Sequence, residues 1–226
     1  MSPWSAASMT LSDHRLSLEP RAWLEWEDEP QVYELAIRLF DATVVIERHV
    51  LVPADIRLPD LHLVIQAAMG WSTYHLHLFE FDDSPAYADP ELDELATLDE
   101  TNVRLSQLLG DVAQALTNEY DFGDRWSHRI VLLDTHPADA DQDVPACIGG
   151  RGACPPEDCG GVSGYAQLCR AISDLEAEDH AEWLEWASPS LADPFDPDAF
   201  DLAAAHRRVR DSVGADGRLR WPPLHE

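Results

Sequence analysis

The 226-residue chain contains no lysine, so its 15 basic side chains other than histidine are all arginine. That absence excludes Schiff-base catalysis and phosphate binding by a lysine. Positive charge is scarce throughout, because 43 acidic residues leave a formal net charge of −28. Affinity for a nucleic-acid backbone needs clustered cations, so direct nucleic-acid binding is not expected. The one basic cluster is Arg207, Arg208 and Arg210 with Arg218 and Arg220 behind it, and its place at a helix end reads as a complement to the helix dipole. No run approaches the roughly 18 apolar residues of a membrane span. The N-terminus has neither the basic start nor the apolar stretch of a signal peptide, so a cytoplasmic protein with no membrane association is expected. Four cysteines are too few for a disulfide framework and point to metal binding or packing. A phosphate loop and a dinucleotide fingerprint are missing, and Gly161-Val162-Ser163-Gly164-Tyr165 lacks the last glycine of a hydrolase elbow.

What is present is enough apolar material for a sizeable core, 45% of residues with 8 Trp, in one large domain or a domain with an appendage. The acidity keeps such a chain soluble and also suits a basic protein partner, the partner class expected here. Residues 1–30 read as an N-terminal tail that docks through Trp23 and Trp26. Two strands follow, Val32 to Phe40 and Thr43 to Val52, joined at Asp41-Ala42 and stopped by Pro53. From Pro59 the period changes to helical, with Leu61, Ile65 and Ala68 on one face and Gly70 at the C-cap. Period two returns over Tyr74 to Phe81, with a short strand at Tyr87 and a helical half-turn at Leu105 to Leu109. Ala115 to Asp121 and Trp126 to Leu133 form a further strand pair around Phe122-Gly123-Asp124-Arg125. His136 to Val144 reads as a solvated loop, and 147–164 as a Gly/Cys-rich loop closing a core of residues 31–164. The remainder, 165–226, reads as a helical segment packed on that core. Its faces are Tyr165, Leu168, Cys169 and Ile172, then Trp183 and Trp186, then Leu202, Ala205, Val209 and Val213 started by Asp196-Pro197-Asp198. Strands first and helices last give an α+β class: an antiparallel sheet with a packed early helix and a helical C-terminal third.

Two clusters could carry chemistry. Cys147, Cys154 and Cys159 sit among glycines and prolines, and thiolates are soft ligands that suit zinc. Their spacing is not that of a zinc knuckle and a fourth ligand is needed, with His128 and His136 nearest in sequence. The competing reading is a Gly-Pro loop with free thiols, while Cys169 belongs to an apolar helix face. The second cluster runs from Tyr120 to His128 and offers Asp121, Asp124 and His128 as acid–base or metal groups. Glu157 and Asp158 complete the candidate set. The competing reading gives Asp121 and Asp124 to turn amides and His128 to a strand end. His75 and His77, two apart on a strand, share a face with Phe79 and Phe81 and read as the edge of an aromatic core rather than a metal pair.

An ordered set of motifs carries a family likeness: Leu51-Val52-Pro53, Leu61-His62 through Gln66 to Gly70-Trp71, His75-Leu76 with Phe79, Tyr120-Asp121-Phe122-Gly123-Asp124 with Trp126 and His128, Ala153-Cys154-Pro155-Pro156-Glu157-Asp158-Cys159-Gly160-Gly161, Gly164-Tyr165, and Phe195-Asp196-Pro197 with Phe200-Asp201-Leu202. These resemble the plasmid pRiA ORF-three-like family from about Tyr33 to Leu202. One departure is Val45-Ile46-Glu47-Arg48, where the family commonly shows Ile-Trp-Arg-Arg. The resemblance implies an α+β fold with the Tyr120–His128 and Cys154–Gly161 motifs as neighbours, and it supplies no substrate. Some members carry an insertion-element passenger, TnpR-like label, which would imply a resolvase. A resolvase needs a serine among clustered arginines and a basic helix-turn-helix, and neither is visible here. The leading expectation is therefore a binding or adaptor protein with structural zinc in the Gly/Cys loop. The alternative is a metal-dependent, hydrolase-like enzyme, and a third reading is an acidic nucleic-acid mimic linked to mobile elements.

Overall fold

Strands in this chain alternate apolar and polar residues, and their apolar rows gather on one side of a single sheet. The computed structural model describes residues 30–213 except 83, 93–96, 140, 175, 177 and 188–194. The expected tail with Trp23 and Trp26, and also Arg218 and Arg220, lie outside the described residues. The order is β1 (Gln31–Leu39), β2 (Glu47–Pro53), α1 (Leu58–Met69), β3 (His77–Glu80), β4 (Tyr87–Ala88), β5 (Leu98–Asp99), α2 (Leu105–Leu108), β6 (Ala115–Tyr120), β7 (Trp126–Pro137), β8 (Ala146–Arg151), α3 (Gly161–Ser173), α4 (His180–Ala187) and α5 (Leu202–Asp211). The eight strands form one sheet in the order β5-β4-β3-β6-β7-β1-β2-β8. Its pairings are antiparallel except that of β4 with β5, so the sheet is mixed but mostly antiparallel.

Register brings the buried row of each strand opposite the next. Ile37 of β1 faces Ile130 of β7, and Leu39 faces His128. In β6, Asn118 lies opposite His128 and Tyr120 opposite Trp126. Helix α1 covers this face through Leu61, Val64, Ile65 and Ala68, all fully buried. His62 of α1 stacks on His77 of β3 at 3.5 Å between ring centroids. Gly70, at φ 93, closes α1 in the left-handed conformation that the sequence anticipated.

The structure redraws several boundaries. Strand β2 begins at Glu47 rather than Thr43, because residues 40–46 form an open connection closed by the Leu39 N–H on the Ile46 carbonyl, 3.0 Å. Strand β7 runs on to Pro137. The segment expected as a Gly/Cys loop contains β8, which pairs with β2. Ala-Cys-Ile-Gly-Gly-Arg lacks the β-branched run that marks a strand, yet its glycines are what the pairing needs. A Cβ on Gly150 would lie 2.6 Å from the Glu47 carbonyl oxygen and 2.9 Å from the Phe200 ring. Helix α5 starts at Leu202, later than Asp196-Pro197-Asp198 implied, because Asp201 is the cap and accepts from the Ala204 N–H at 2.9 Å. Helices α3, α4 and α5 lie in the last third with the non-helical stretch 195–201 ahead of α5, and α5 packs on α1 and β8.

His128 is fully buried on β7, with its Nδ1 3.2 Å from the Asn118 carbonyl oxygen. Burial brings its imidazole down to about 4. His62 is also held well below the ordinary range, by burial first and then by His77 and His128. In the unfolded chain a histidine takes up a proton near pH 6.5, so the folded state resists a proton that the unfolded state accepts. The stability tied to neutral His128 is complete above about pH 6.5 and is lost as pH falls toward about 4, by about 3 kcal/mol. Urea unfolding of the wild type and His128→Gln at pH 7.5 and pH 4.5 tests this. The wild type should lose more stability on acidification than the variant, and equal losses would rule the mechanism out.

Candidate functional site

Three segments remote in sequence meet beyond the ends of β3 and β6. The first is the link from α1 to β3, the second the turn from β6 to β7, and the third the turn ahead of α3. The Asp121 N–H donates to the Leu76 carbonyl at 2.9 Å, which ties the first two. Within its turn, Asp121 has φ 58 and accepts the Gly123 N–H at 2.9 Å. Asp158 also sits in the left-handed region, at φ 59, as does Thr73 at φ 58. Non-glycine residues held there are strained and concentrate at functional sites, although aspartate tolerates the region better than most.

These turns bring one imidazole between two carboxylates. His75 Nε2 lies 3.1 Å from Asp158 Oδ1 and 3.6 Å from Asp121 Oδ2. One ligand atom from each residue falls within 4.8 Å of the others. Ligands about 2.0–2.2 Å from a tetrahedral ion stand about 3.4 Å apart, which the two His75 distances bracket. Asp121 is nearly buried, whereas the Asp158 side chain is 71% exposed. One side of the group therefore faces solvent.

Around this group the protein is tightly tied. The Tyr120 hydroxyl donates to Glu157 Oε1 at 2.6 Å, and the Ser72 N–H donates to Glu157 Oε2 at 2.8 Å. Burial, and then Glu157, raise the Tyr120 hydroxyl far above its ordinary range, so it stays a donor. The Trp71 indole N–H donates to the Pro155 carbonyl at 2.7 Å. The Gly160 N–H donates to Asp124 Oδ2 at 3.1 Å. Gly161, at φ 66, lies so close to this turn that a Cβ would come 2.5 Å from the Asp124 carbonyl oxygen. A cavity of about 610 Å³ opens beside the group, with Glu157 and Asp158, Arg48 and Arg208, and Trp71 and Phe200 in its lining.

The sequence candidates are thus redistributed. Asp121 and Asp158 enter the group, and Glu157 stands beside it with both oxygens engaged. Asp124 is an anchor for Gly160, and His128 is buried with its ring 5.3 Å from that of Trp71. Cys147, Cys154, Cys159 and His128 do not form a group at metal-site spacing. Among the described residues, His75, Asp121 and Asp158 make the one group of three or more His, Cys, Asp or Glu ligand atoms at metal-site spacing. Cys147 lies on β8, its sulfur 3.6 Å from the Gly149 carbonyl oxygen. Burial brings the Cys154 and Cys159 thiols up to about 12. His136 meets Gln142 at 3.3 Å. The ring of His75 does stand at an aromatic edge, 5.7 Å from that of Tyr120, but the sequence gives no sign that its Nε2 also reaches two carboxylates. Strand alternation put it in a row with His77, but β3 begins only at His77, so His75 turns toward Asp121 while His77 meets Glu100 at 3.1 Å.

The model of the plasmid pRiA4b ORF-3-like protein family matches residues 31–204. The chain belongs to the plasmid pRiA4b ORF-3-like family. A relative named "Uncharacterized protein y4hQ", from Sinorhizobium fredii strain NBRC 101917 / NGR234, is 36% identical over 191 residues, 84% of this chain and 94% of that protein. The crystal structure of a "Protein of Unknown Function MM3350" from Methanosarcina mazei Go1 has a TM-score of 0.69 at 32% identity. The match covers 77% of this chain and 97% of that one. All three residues of the His75 group fall inside the plasmid pRiA4b ORF-3-like match, as does Arg48, whereas Arg208 lies beyond it. No helix among the described residues of this family member is long and apolar enough to cross a membrane.

If Asp124 anchors the 159–161 turn through the Gly160 N–H, Asp124→Ala should lower unfolding stability by about 1 kcal/mol, and Asp124→Asn, which keeps an acceptor oxygen, by less. Denaturant unfolding checks this. No loss in either variant would remove the anchoring role.

Proposed function

We propose that the protein binds a divalent transition-metal ion through His75, Asp121 and Asp158 and uses it as a hydrolytic centre. The observation that carries this reading is the convergence of one imidazole nitrogen and two carboxylate oxygens within 4.8 Å of one another. A set of one nitrogen and two oxygens suits zinc or manganese, and three protein ligands leave positions for water and substrate. Asp121, held by its own turn, would hold an ion from the buried side and Asp158 from the solvent side. An ion held by these three residues would supply Lewis-acid chemistry, acidifying a water and polarising a bond beside it. Glu157 has both oxygens committed, to Tyr120 and to the Ser72 amide. Its role is to position Asp158 and Tyr120, not to abstract a proton.

The binding-protein reading differs only in what the ion does. A structural ion would be enclosed by four protein ligands, and the exposed Asp158 beside a cavity of about 610 Å³ favours an open one. Titration of metal-free protein with manganese and zinc should show one site. Asp121→Asn and His75→Ala should each weaken it by at least about tenfold, with folds verified by circular dichroism. Hydrolysis of ester substrates should appear on metal addition and vanish in both variants. Metal binding without turnover on any ester would leave a binding protein, and absence of metal binding would defeat the proposal.

A further inference from the structure

In a chain with 43 acids and 15 arginines, a guanidinium finds a carboxylate easily, yet two arginines on the sheet do not. Arg129 of β7 stands directly opposite Arg38 of β1 in register. Both alternate with buried Ile37 and Ile130 and so point to the exposed face of the sheet, away from α1. Like charges set opposite one another across a strand pair repel. Neither side chain forms a hydrogen bond or ion pair among the described residues. On the other flank of Arg129 the same row runs through Thr117 of β6 to Glu80 of β3. Glu80 and the nearby Asp82 are exposed, and their side chains too have no partner among the described residues. The row thus keeps acid and base about 10 Å apart, two strand spacings, without joining them. A groove of about 550 Å³ opens here, with Glu80, Asp82, Ser84, Gln114, Thr117 and Arg129 in its lining. Asp82 at φ 47 and Ala113 at φ 75, both in that lining, are held in the left-handed region. Alanine seldom adopts it, and such backbone concentrates where ligands are clamped. The groove lies at the opposite ends of β3 and β6 from the His75 group, so it is a second site.

We infer that this groove binds a short peptide with free termini, its carboxylate on Arg129 beside Arg38 and its ammonium group on Glu80 and Asp82. The charge pattern selects this class. A plain anion would meet Glu80 and Asp82 in the same lining and a plain cation would meet Arg129, whereas a zwitterion satisfies both ends. An extended chain advances about 3.3–3.6 Å per residue, so a tripeptide spans the roughly 10 Å between the charged ends and a single amino acid does not. Between those ends stands Gln114, whose Oε1 is taken by the Gly110 and Asp111 N–H groups. Its amide N–H groups are left to donate to the peptide carbonyls. A ligand of no net charge also enters without opposing the field that a surface of −28 sets against anions.

The experiment is calorimetric titration of the full chain with trialanine, N-acetyl-trialanine, trialanine amide and alanine. Trialanine should bind at least about tenfold more tightly than either capped form, and alanine more weakly still. Arg129→Gln should weaken trialanine by at least about tenfold and remove its advantage over the amide. The double variant Glu80→Gln with Asp82→Asn should instead remove its advantage over the acetylated form. All three positions are exposed, and circular dichroism verifies that the variants fold. Trialanine binding no tighter than its two capped forms, or binding unchanged in both variants, overturns the inference, and so does a wild-type chain that binds no trialanine. No metal enters this titration, so its outcome is separate from that of the His75 group.

Discussion

The Glu157 carboxylate is the junction on which the site depends. One oxygen accepts a hydrogen bond from the Tyr120 hydroxyl at the end of β6, and the other accepts one from the Ser72 N–H just past α1. Three segments separated by dozens of residues are thereby fixed to one another. His75, Asp121 and Asp158 each lie one to three residues from a tied atom, so their mutual distances are set by this junction rather than by direct attraction. Tyr120 can serve because it is buried in an aromatic group, 5.4 Å from Trp71 and 5.6 Å from His62 between ring centroids. Its hydroxyl stays protonated, so the 2.6 Å contact remains a hydrogen bond from a neutral donor to a charged acceptor, the stronger class.

The same aromatic group explains why the interior tolerates so many polar side chains. His62, Gln66, Asn118 and His128 are all buried where α1 lies on the sheet. Burial keeps the imidazoles of His62 and His128 neutral, and neutral imidazole pays far less for desolvation than imidazolium. Packing of this kind specifies one arrangement of α1, since a shift of one turn would set Leu58 or Gln66 against His77 instead of His62. Gly70 then ends the helix where Trp71 must turn inward to reach Pro155.

Much of this was legible in the residues. The α1 cap, the strand pair around Phe122-Gly123, the turn acids and the adjacency of the Tyr120 and Cys154 motifs all follow from local rules of period, turn chemistry and family likeness. What could not be read depended on long-range geometry. Strand β8 hides in a glycine-rich run because its glycines answer to the Glu47 carbonyl and Phe200, neither of which is near in sequence. The three cysteines look like a ligand set only while the chain is a line, since folding puts Cys147 in the sheet and Cys159 ahead of α3. His75 was assigned by alternation to the face of His77, and alternation fails one residue before a strand begins.

The acidity of the chain acquires a second meaning at this site. A surface of net charge −28 concentrates divalent cations and repels anions, so a carboxylate pair in such a field binds a metal more readily than the same pair in a neutral protein. Arg48 and Arg208 are held at the end of α1 by the carbonyls of Ala67 and Ala68, where the negative end of the helix dipole favours them. The end of α1 thus occupies both guanidiniums with backbone carbonyls, and neither forms an ion pair among the described residues, so the acids of the His75 group are not neutralised by them.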